Sequence, residues 1–533
     1  MWKYKESFSR TNSLAEKETP CLLEKKNCLA LRKVLKCMEG SCRQINPPCS
    51  RKIDSNGGFS VTSFSGKRGA CFPAKGETGL YMKQRIVILT VGTAISLFLF
   101  LKMNAWEYWA VPLLPLGCGI LYFLFPSILL RIPGNAGASC LNIAVVLRYL
   151  VSPLLLGLQG FLPSRGAVPD AEEVAVGTAL MLYELTAVFV VIHLFGGCLE
   201  RDRCGGVRKT NSGGPVVLAV AGAAAVAIFP QILEKYSFLF SSQELVRERV
   251  EIPGTAELLF QFGVVFGMLK LVECLSLHRA CCWRFFCAVA LVTAAGSFVP
   301  YSSRFGILLP FLAGWLVLRR CFPSYRRVLN GLFPLLLAGL LLFSTLKKEG
   351  GPDSGFSTTA LDLAQNASQT LQSYFSGITN VALSVRMRTV FAGGFSPGIL
   401  LSDLCKSVMG LSGIFAGNTG TTELFNLVFY GERAARDQIV PMIGQGYCFF
   451  GFALAPVFSA LSALLAVWFD MLCKRSRDVF SIYLFGYLSV RFGLFLMVNA
   501  SILTAELTNL FLPIFLLGWL NDRLTVFPKG GVS

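Results

Sequence analysis

Residues 174–196 read VAVGTALMLYELTAVFVVIHLFG, an apolar run that contains one carboxylate, Glu184, and one histidine, His193. The hydrocarbon core of a bilayer takes about 20 helical residues to cross, so this run predicts a transmembrane helix. Similar runs recur along the chain and predict about twelve spans. They lie at about residues 86–103, 109–130, 140–162, 174–196, 214–233, 255–277, 283–301, 305–319, 328–346, 445–469, 479–499 and 505–520.

The composition agrees with this prediction. The chain has 533 residues, of which 53% are hydrophobic and 15% are charged, and its mean hydropathy is +0.58. A soluble domain carries about 25% charged residues because its surface faces water. We therefore expect an all-α, polytopic integral membrane protein in a lipid bilayer. The net charge of +18 then reflects Lys and Arg gathered in cytoplasmic loops, and no nucleic-acid partner is expected.

Residues 1–81 differ from the rest of the chain. They hold fifteen Lys and Arg, six cysteines and no apolar run long enough to cross a bilayer. Their cysteine spacings match no zinc-binding pattern. We interpret them as a disordered extension or as a segment that the natural protein lacks. Met82 opens a short basic stretch that leads straight into an apolar run, which favours it as the true start.

The loop charges predict the orientation, because Lys and Arg near span ends stay on the cytoplasmic side. Alternate loops are basic and contain Arg201, Arg203, Arg208, Lys209, Arg279, Arg284, Arg319, Arg320, Arg326, Arg327, Lys474, Arg475 and Arg477. With about twelve spans, both termini are then cytoplasmic. The chain divides into a first membrane bundle at 82–346, a large extracytoplasmic loop at 347–440, and the last three membrane helices with a short tail at 441–533.

The large loop does not resemble disordered sequence. Between residues 358 and 376, apolar residues recur near helical spacing with polar residues between them, a pattern typical of a helix that lies on a membrane surface or on the bundle. Thr421 or Thr422 is suited to cap a second short helix. Because long loops in compact proteins are often functional, we expect a folded cap over the outer face.

The chemistry of this loop depends on arginines and carboxylates. The chain has only two histidines and lacks the HExxH, GxSxG, Walker and Rossmann motifs, so we expect no metal and no cofactor. The outer side holds Arg304, Arg386, Arg388, Glu423, Glu432, Arg433, Arg436 and Asp437. Arginine's planar fork suits phosphate and diphosphate groups. The alternative is a solvated surface, in which Glu432 and Arg436 form only a helix pair.

Ionisable residues also occur inside the predicted spans, where each one needs a partner or a hydrated cavity. They are Arg148, Glu184, Lys270, Glu273 and Arg491. We expect Arg148 to pair with Glu184. Lys270 and Glu273 lie near the cytoplasmic end of their span and are expected to reach the interface. For Arg148 and Arg491, a substrate cavity and a structural ion pair remain open alternatives.

Three stretches resemble one enzyme family. They are SRFG at 303–306, YFSG at 374–377 and VPMIGQGYCFFG at 440–451. Together with the late, dominant outer loop, they are similar to the oligosaccharide repeat-unit polymerases, also called O-antigen or Wzy-type polymerases. The resemblance is strongest over residues 300–470. It implies an enzyme of the bacterial cytoplasmic membrane that works beside a flippase and a chain-length regulator.

The resemblance implies transfer of a growing glycan from one polyprenyl diphosphate onto another lipid-linked oligosaccharide. The arginines, with Arg148 and Arg491, would stabilise the leaving diphosphate, and Tyr374 would stack on a sugar ring. Glu423 or Glu432 would act as the base. A lipid-linked oligosaccharide flippase or transporter, and an O-antigen ligase, remain the alternatives.

Overall fold

The computed structural model describes residues 75–102, 108–128, 135–159, 166–196, 207, 213–233, 254–277, 281–297, 304–348, 368–393, 395–408, 410–415, 419–431 and 438–516. All of them belong to one compact unit, Pro73–Ser533. The predicted extension therefore lies outside the described residues as far as position 74. Every regular element among the described residues is a helix, as the all-α prediction requires.

Nine helices precede the large loop in the described part of the chain. They are α1 (Lys75–Lys102), α2 (Leu113–Leu124), α3 (Ala136–Val146, a π-helical turn Leu147–Val151, and Ser152–Gln159), α4 (Ala171–Phe195), α5 (Gly213–Ile228), α6 (Gly254–Leu277), α7 (Cys282–Ser297), α8 (Arg304–Cys321) and α9 (Arg326–Lys348).

The large loop and the C-terminal part contain further helices. The loop holds helical turns at residues 368–374, α10 (Ile378–Val390), α11 (Pro397–Cys405), a single turn Ser412–Phe415, and α12 (Thr421–Tyr430). After it come α13 (Met442–Leu454), α14 (Val457–Arg475), α15 (Val479–Gly493) and α16 (Ala500–Ala505, continued by the π-helical Glu506–Phe511).

The described residues form an all-helical structure that is consistent with a membrane protein. Five described helical segments are long and apolar enough to cross a bilayer. They are Tyr81–Lys102, Ala136–Leu158, Ala171–Phe195, Leu259–Ser276 and Val457–Arg475. The predicted eighth and ninth spans form one pair bent by 109°. Most of the other predicted spans correspond to shorter apolar helices. Large exposed apolar side chains such as Leu101, Leu194 and Trp283 have the character of lipid-facing residues.

Small residues allow neighbouring helices to cross closely. A Cβ atom on Gly92 of α1 would lie 2.5 Å from the Pro115 carbonyl oxygen of α2. Between α5 and α6, Gly222 and Gly263 meet in the same way, because a Cβ atom added to either one would lie 3.0–3.1 Å from the Cα of the other. Small residues at crossings are characteristic of helix packing in membranes, because they let the backbones approach.

The predicted span at 445–469 is wrong in its bounds, because the chain reverses direction within it. Gly451 has φ 74° and ψ −174°, which ends the helical path inside α13. A Cβ atom on Gly446 would lie only 2.0 Å from the Ala455 carbonyl oxygen, and the Ser462 hydroxyl lies 3.4 Å from the Met442 sulfur. Helices α13 and α14 therefore form a hairpin, and only α14 is long enough to cross the membrane.

Polar side chains join neighbouring elements at each end of the bundle. Arg320, at the end of α8, donates to the carbonyls of Cys473 and Lys474 at the end of α14. At the opposite end, Arg386 of the large loop contacts Glu173 at the start of α4. The described loop helices thus meet the bundle at the end away from Arg320 and Lys474.

Candidate functional site

Helix α10 of the large loop is embedded in the bundle, whereas the sequence predicts a cap over it. Its residues from Ile378 to Val385 are all buried. On one side Gly177 of α4 approaches it, since a Cβ atom on Gly177 would lie 3.2 Å from the Ala382 nitrogen. On the other side Gly444 of α13 approaches Ser384, because a Cβ on Gly444 would lie 2.2 Å from the Ser384 hydroxyl oxygen. The loop therefore supplies a helix to the core.

Arg388 lies where α10 meets the helical hairpin. Its guanidinium donates to the Tyr447 carbonyl and lies 4.6 Å from the centroid of the Tyr447 ring. It also faces the break in α13, because a Cβ on Gly451 would lie 3.4 Å from its Nη2 atom. A partly exposed cation beside an interrupted helix is suited to contact an anionic ligand. Arg388 is the predicted site residue whose surroundings best fit its role.

Arg386, two residues earlier, is held by carboxylates. Its Nε and Nη2 atoms each lie 2.7 Å from one oxygen of Glu173, and Asp170 is 3.4 Å away. The hydrogen bonds that the Arg386 guanidinium donates to Glu173 raise its pKa above the ordinary value. In this conformation the guanidinium fixes the loop to the start of α4, and its predicted diphosphate contact requires release from Glu173.

Glu423, the first candidate for the base, is also engaged. Its Oε1 atom accepts from Lys406 at 2.9 Å, and its Oε2 atom accepts from the Gly420 backbone nitrogen at 3.3 Å. Gly420, and neither Thr421 nor Thr422, stands at the N-cap of α12, so the predicted cap residue is wrong. Glu423 caps the helix from its third position instead, which is the second half of a capping box.

A buried carboxylate that the sequence analysis missed lies close by. Asp403 of α11 accepts from the Thr421 backbone nitrogen at 2.8 Å, from the Thr421 hydroxyl, and from Gln445 at 3.1 Å. Gln445 in turn accepts from the Ala500 backbone nitrogen at 3.0 Å. Burial raises the pKa of Asp403, while these hydrogen bonds oppose the shift. This network joins α11 of the large loop to α13 and, through Gln445, to the start of α16.

The predicted Arg148–Glu184 pair is confirmed. Arg148 Nη1 lies 2.8 Å from Glu184 Oε2, both residues are buried, and the Ser459 hydroxyl donates to the other Glu184 oxygen. Arg148 is part of the π-helical turn in α3, and such turns are frequent at functional sites. Its Nε and Nη2 atoms have no hydrogen-bond partner among the described residues.

Further ion pairs lie within the apolar helices. Arg491 Nε lies 2.7 Å from Glu506 Oε2, and Glu506 opens the second π-helical stretch. Lys270 pairs with Glu273 at 2.8 Å, and Glu273 is buried while Lys270 is partly exposed. Glu506 was missed by the sequence analysis, although a lone carboxylate in the predicted twelfth span was a usable signal.

Asp470 was missed as well, although it interrupts the apolar run of α14. Its carboxylate accepts from the backbone nitrogens of Gly137 and Ala138, both at 3.1 Å, and from the Ser489 hydroxyl. It thereby satisfies the free N–H groups at the start of α3 from a different helix. These partners are two backbone N–H groups and one hydroxyl, and all of the contacts are buried. We therefore assign Asp470 a structural role in joining the helices of the bundle.

The remaining predicted residues are less completely described. Tyr374 is half-buried in the helical turns at 368–374. Arg304 begins α8, but its side chain lies outside the described structure, as do Glu432, Arg433 and Arg436. Among the described side chains, no group of three His, Cys, Asp or Glu is arranged to hold a metal ion. Comparison with protein-family models, curated proteins and solved structures gives no match to the chain.

Proposed function

We propose that the protein is a membrane glycosyltransferase that polymerises lipid-linked oligosaccharides. It would transfer a growing glycan from a polyprenyl diphosphate carrier onto the sugar of another lipid-linked unit, at the outer face of a bacterial cytoplasmic membrane. The observation that carries this proposal is the packing of the large loop against residues 440–451. Arg388 of the loop and Tyr447 of the hairpin meet there, and residues 440–451 are among those that resemble the repeat-unit polymerases.

The chemistry assigns roles to several of these residues. The leaving diphosphate gains negative charge as the anomeric carbon–oxygen bond breaks, so a preorganised guanidinium stabilises the transition state more than the ground state. Arg388 would take this role, and Arg304, Arg433 and Arg436 would contribute to it.

The acceptor hydroxyl must lose a proton as it attacks, and an outer carboxylate is the available base. The use of Glu423 as that base requires Lys406 to release it, since these residues pair at 2.9 Å. Glu432 is the second candidate.

A cellular experiment tests the proposal. A strain that lacks the protein is complemented with the wild type, Arg388→Gln or Arg433→Ala, and expression of each variant is confirmed. We expect the wild type alone to restore long chains, while the variants accumulate single repeat units that still reach the outer face. Accumulation of lipid-linked units on the cytoplasmic side would contradict the proposal.

A transporter of lipid-linked oligosaccharide is the second candidate, and one observation favours it. Two interrupted segments, α13 and the α15–α16 pair, meet at the hydrogen bond between Gln445 and Ala500. Interrupted helices that meet at polar residues are common at transporter binding sites. The same cellular experiment separates the candidates, because loss of a transporter leaves its lipid-linked substrate on the cytoplasmic side.

A further inference from the structure

Five buried side chains in the large loop or in the helices beside it carry polar atoms that have no hydrogen-bond partner among the described residues. They are Arg148 through Nε and Nη2, Thr178, Ser368 and Thr379 through their hydroxyls, and Asn380 through Nδ2. Each of these residues is at most 3% exposed. Burying a polar group without a partner is costly, and native structures normally satisfy such groups with protein, water or a ligand.

These residues lie where four segments meet. Gln372, one turn after Ser368, donates to the Ser152 hydroxyl at 2.7 Å, and its oxygen lies 3.4 Å from the Thr379 backbone nitrogen. Ser152 follows Arg148 by about one turn of α3. Gly177, which precedes Thr178 in α4, packs against Ala382 of α10. The unpartnered polar groups thus belong to four adjoining segments, which are α3, α4, α10 and residues 368–374.

The charge of this region restricts the kind of ligand that it could hold. Glu184 pairs with Arg148 at 2.8 Å, so the five residues and this carboxylate together carry no net charge. A diphosphate placed here would bring uncompensated charge into a buried site, which is strongly unfavourable. The unpartnered groups are N–H groups, which donate hydrogen bonds, and hydroxyls, which can donate and accept them. A neutral ligand rich in hydroxyl oxygens matches them.

We propose that Arg148, Thr178, Ser368, Thr379 and Asn380, here called the polar row, bind the neutral sugar hydroxyls of the lipid-linked substrate. The naming of that ligand as part of a lipid-linked glycan rests on the proposed function. The polar row would hold the glycan, and the diphosphate would lie outside it at Arg388. Arg148 then contacts sugar and does not contact the diphosphate.

A pair of double variants tests the polar row in the purified full-length protein. Thr178→Val with Thr379→Val removes two open hydroxyls. Thr186→Val with Thr389→Val is the matched control on the same two helices, because those hydroxyls already donate to the carbonyls of Leu182 and Val385. The probes are free hexoses, free N-acetylhexosamines and sodium diphosphate. The readout is the melting temperature as a function of probe concentration, since a ligand of the folded state raises it.

We expect at least one neutral sugar to raise the melting temperature of the wild type and of the control. The polar-row variant should need at least about tenfold more sugar for the same rise, while its response to diphosphate is unchanged. Without a probe it should be at least as stable as the wild type, because the removed hydroxyls make no hydrogen bond with the described residues and their burial is costly. The polar row is disproved if no sugar stabilises the wild type, if both double variants respond equally, or if only the diphosphate response is lost.

This result is independent of the test of the proposed function. Sugar binding that depends on Thr178 and Thr379, in a protein that forms no polymer, would retain the polar row and disprove the polymerase. Polymer formation by the wild type, together with unaltered sugar binding in the polar-row variant, would support the polymerase and disprove sugar binding by the polar row.

Discussion

Arg388 and Tyr447 are joined twice, through a hydrogen bond to the Tyr447 carbonyl and through the Tyr447 ring, whose centroid lies 4.6 Å from the guanidinium carbon. This contact fixes α10 of the large loop to α13, one turn before the break at Gly451. Because residues 388 and 447 are far apart in sequence, their contact shows that the loop is part of the folded bundle. The contact also places a cation beside the turn of the hairpin.

The first prediction concerns that cation. Arg388→Gln removes the charge, and we expect a fall of about 10²-fold in the rate of glycan transfer, as for the loss of a group that stabilises a developing anion. Arg388→Lys keeps the charge but loses the planar fork, so its rate should lie between those of Arg388→Gln and the wild type. Each variant is purified by size-exclusion chromatography, and its rate is divided by the amount of folded protein. Equal rates for the two variants would show that charge at this position is unimportant.

The hairpin gives a prediction about stability. Gly446→Ala places a Cβ atom 2.0 Å from the Ala455 carbonyl oxygen, and the backbone must move, which costs about 1–3 kcal/mol or more. Gly267→Ala in α6 is the control, because nothing lies within 4 Å of its Cβ position. That change should stabilise the helix by about 0.5–1 kcal/mol. Melting temperatures that move in opposite directions support the hairpin, and an unchanged melting temperature for Gly446→Ala contradicts it.

The buried carboxylate of α14 gives a third prediction. Asp470→Asn leaves a single accepting oxygen for the Gly137, Ala138 and Ser489 donors, so we expect a loss of about 1–3 kcal/mol in the free energy of unfolding. The control is Asp478→Asn at the N-cap of α15, where the side chain accepts only from Ser481. Asn caps helices about as well as Asp, so this variant should differ little from the wild type. A larger loss in the control would contradict our assignment of Asp470.

The Arg148–Glu184 pair gives a fourth prediction. Arg148→Met leaves a buried carboxylate uncompensated and should cost about 3–5 kcal/mol. Adding Glu184→Leu should recover much of that loss, because no charge is then left buried. The measurement is chemical or thermal unfolding of both single variants and the double variant. Losses that simply add would show that the two charges do not interact.

A pH dependence follows from Asp403. Its pKa is raised in the folded protein above the ordinary value of 3.8, so the folded state binds the proton more tightly than the unfolded state. The resulting stabilisation is complete below pH 3.8 and is lost as the pH rises through the folded pKa. The wild type should therefore gain stability relative to Asp403→Asn as the pH falls from about 7 towards about 4. A difference in melting temperature that is constant with pH would contradict the burial of this carboxylate.

The sequence predicted the parts of the fold that depend on local composition. Long apolar runs gave the membrane helices, and the lone charges Arg148 and Glu184 were paired correctly because each needs a partner in lipid. The reversal at Gly451 was not predicted, since an apolar run has the same composition whether it crosses the membrane or folds back.

The candidate site was predicted less completely. Arg388 and Arg386 are alike in sequence, and only packing shows that Glu173 holds Arg386 while Arg388 faces the hairpin. Asp403 gave no signal in sequence, because its partners Thr421 and Gln445 are distant along the chain. The burial of α10 also depends on close approaches by Gly177 and Gly444, which no local pattern reveals.

The most direct test of the polymerase proposal is reconstitution of the purified protein in liposomes with polyprenyl-diphosphate-linked repeat units as the only substrate. Glycan length is followed by gel electrophoresis for the wild type and Arg388→Gln. We predict a ladder of longer lipid-linked glycans with the wild type and a product reduced at least about tenfold with the variant. Repeat units that move between leaflets without lengthening would contradict the proposal and identify a transporter.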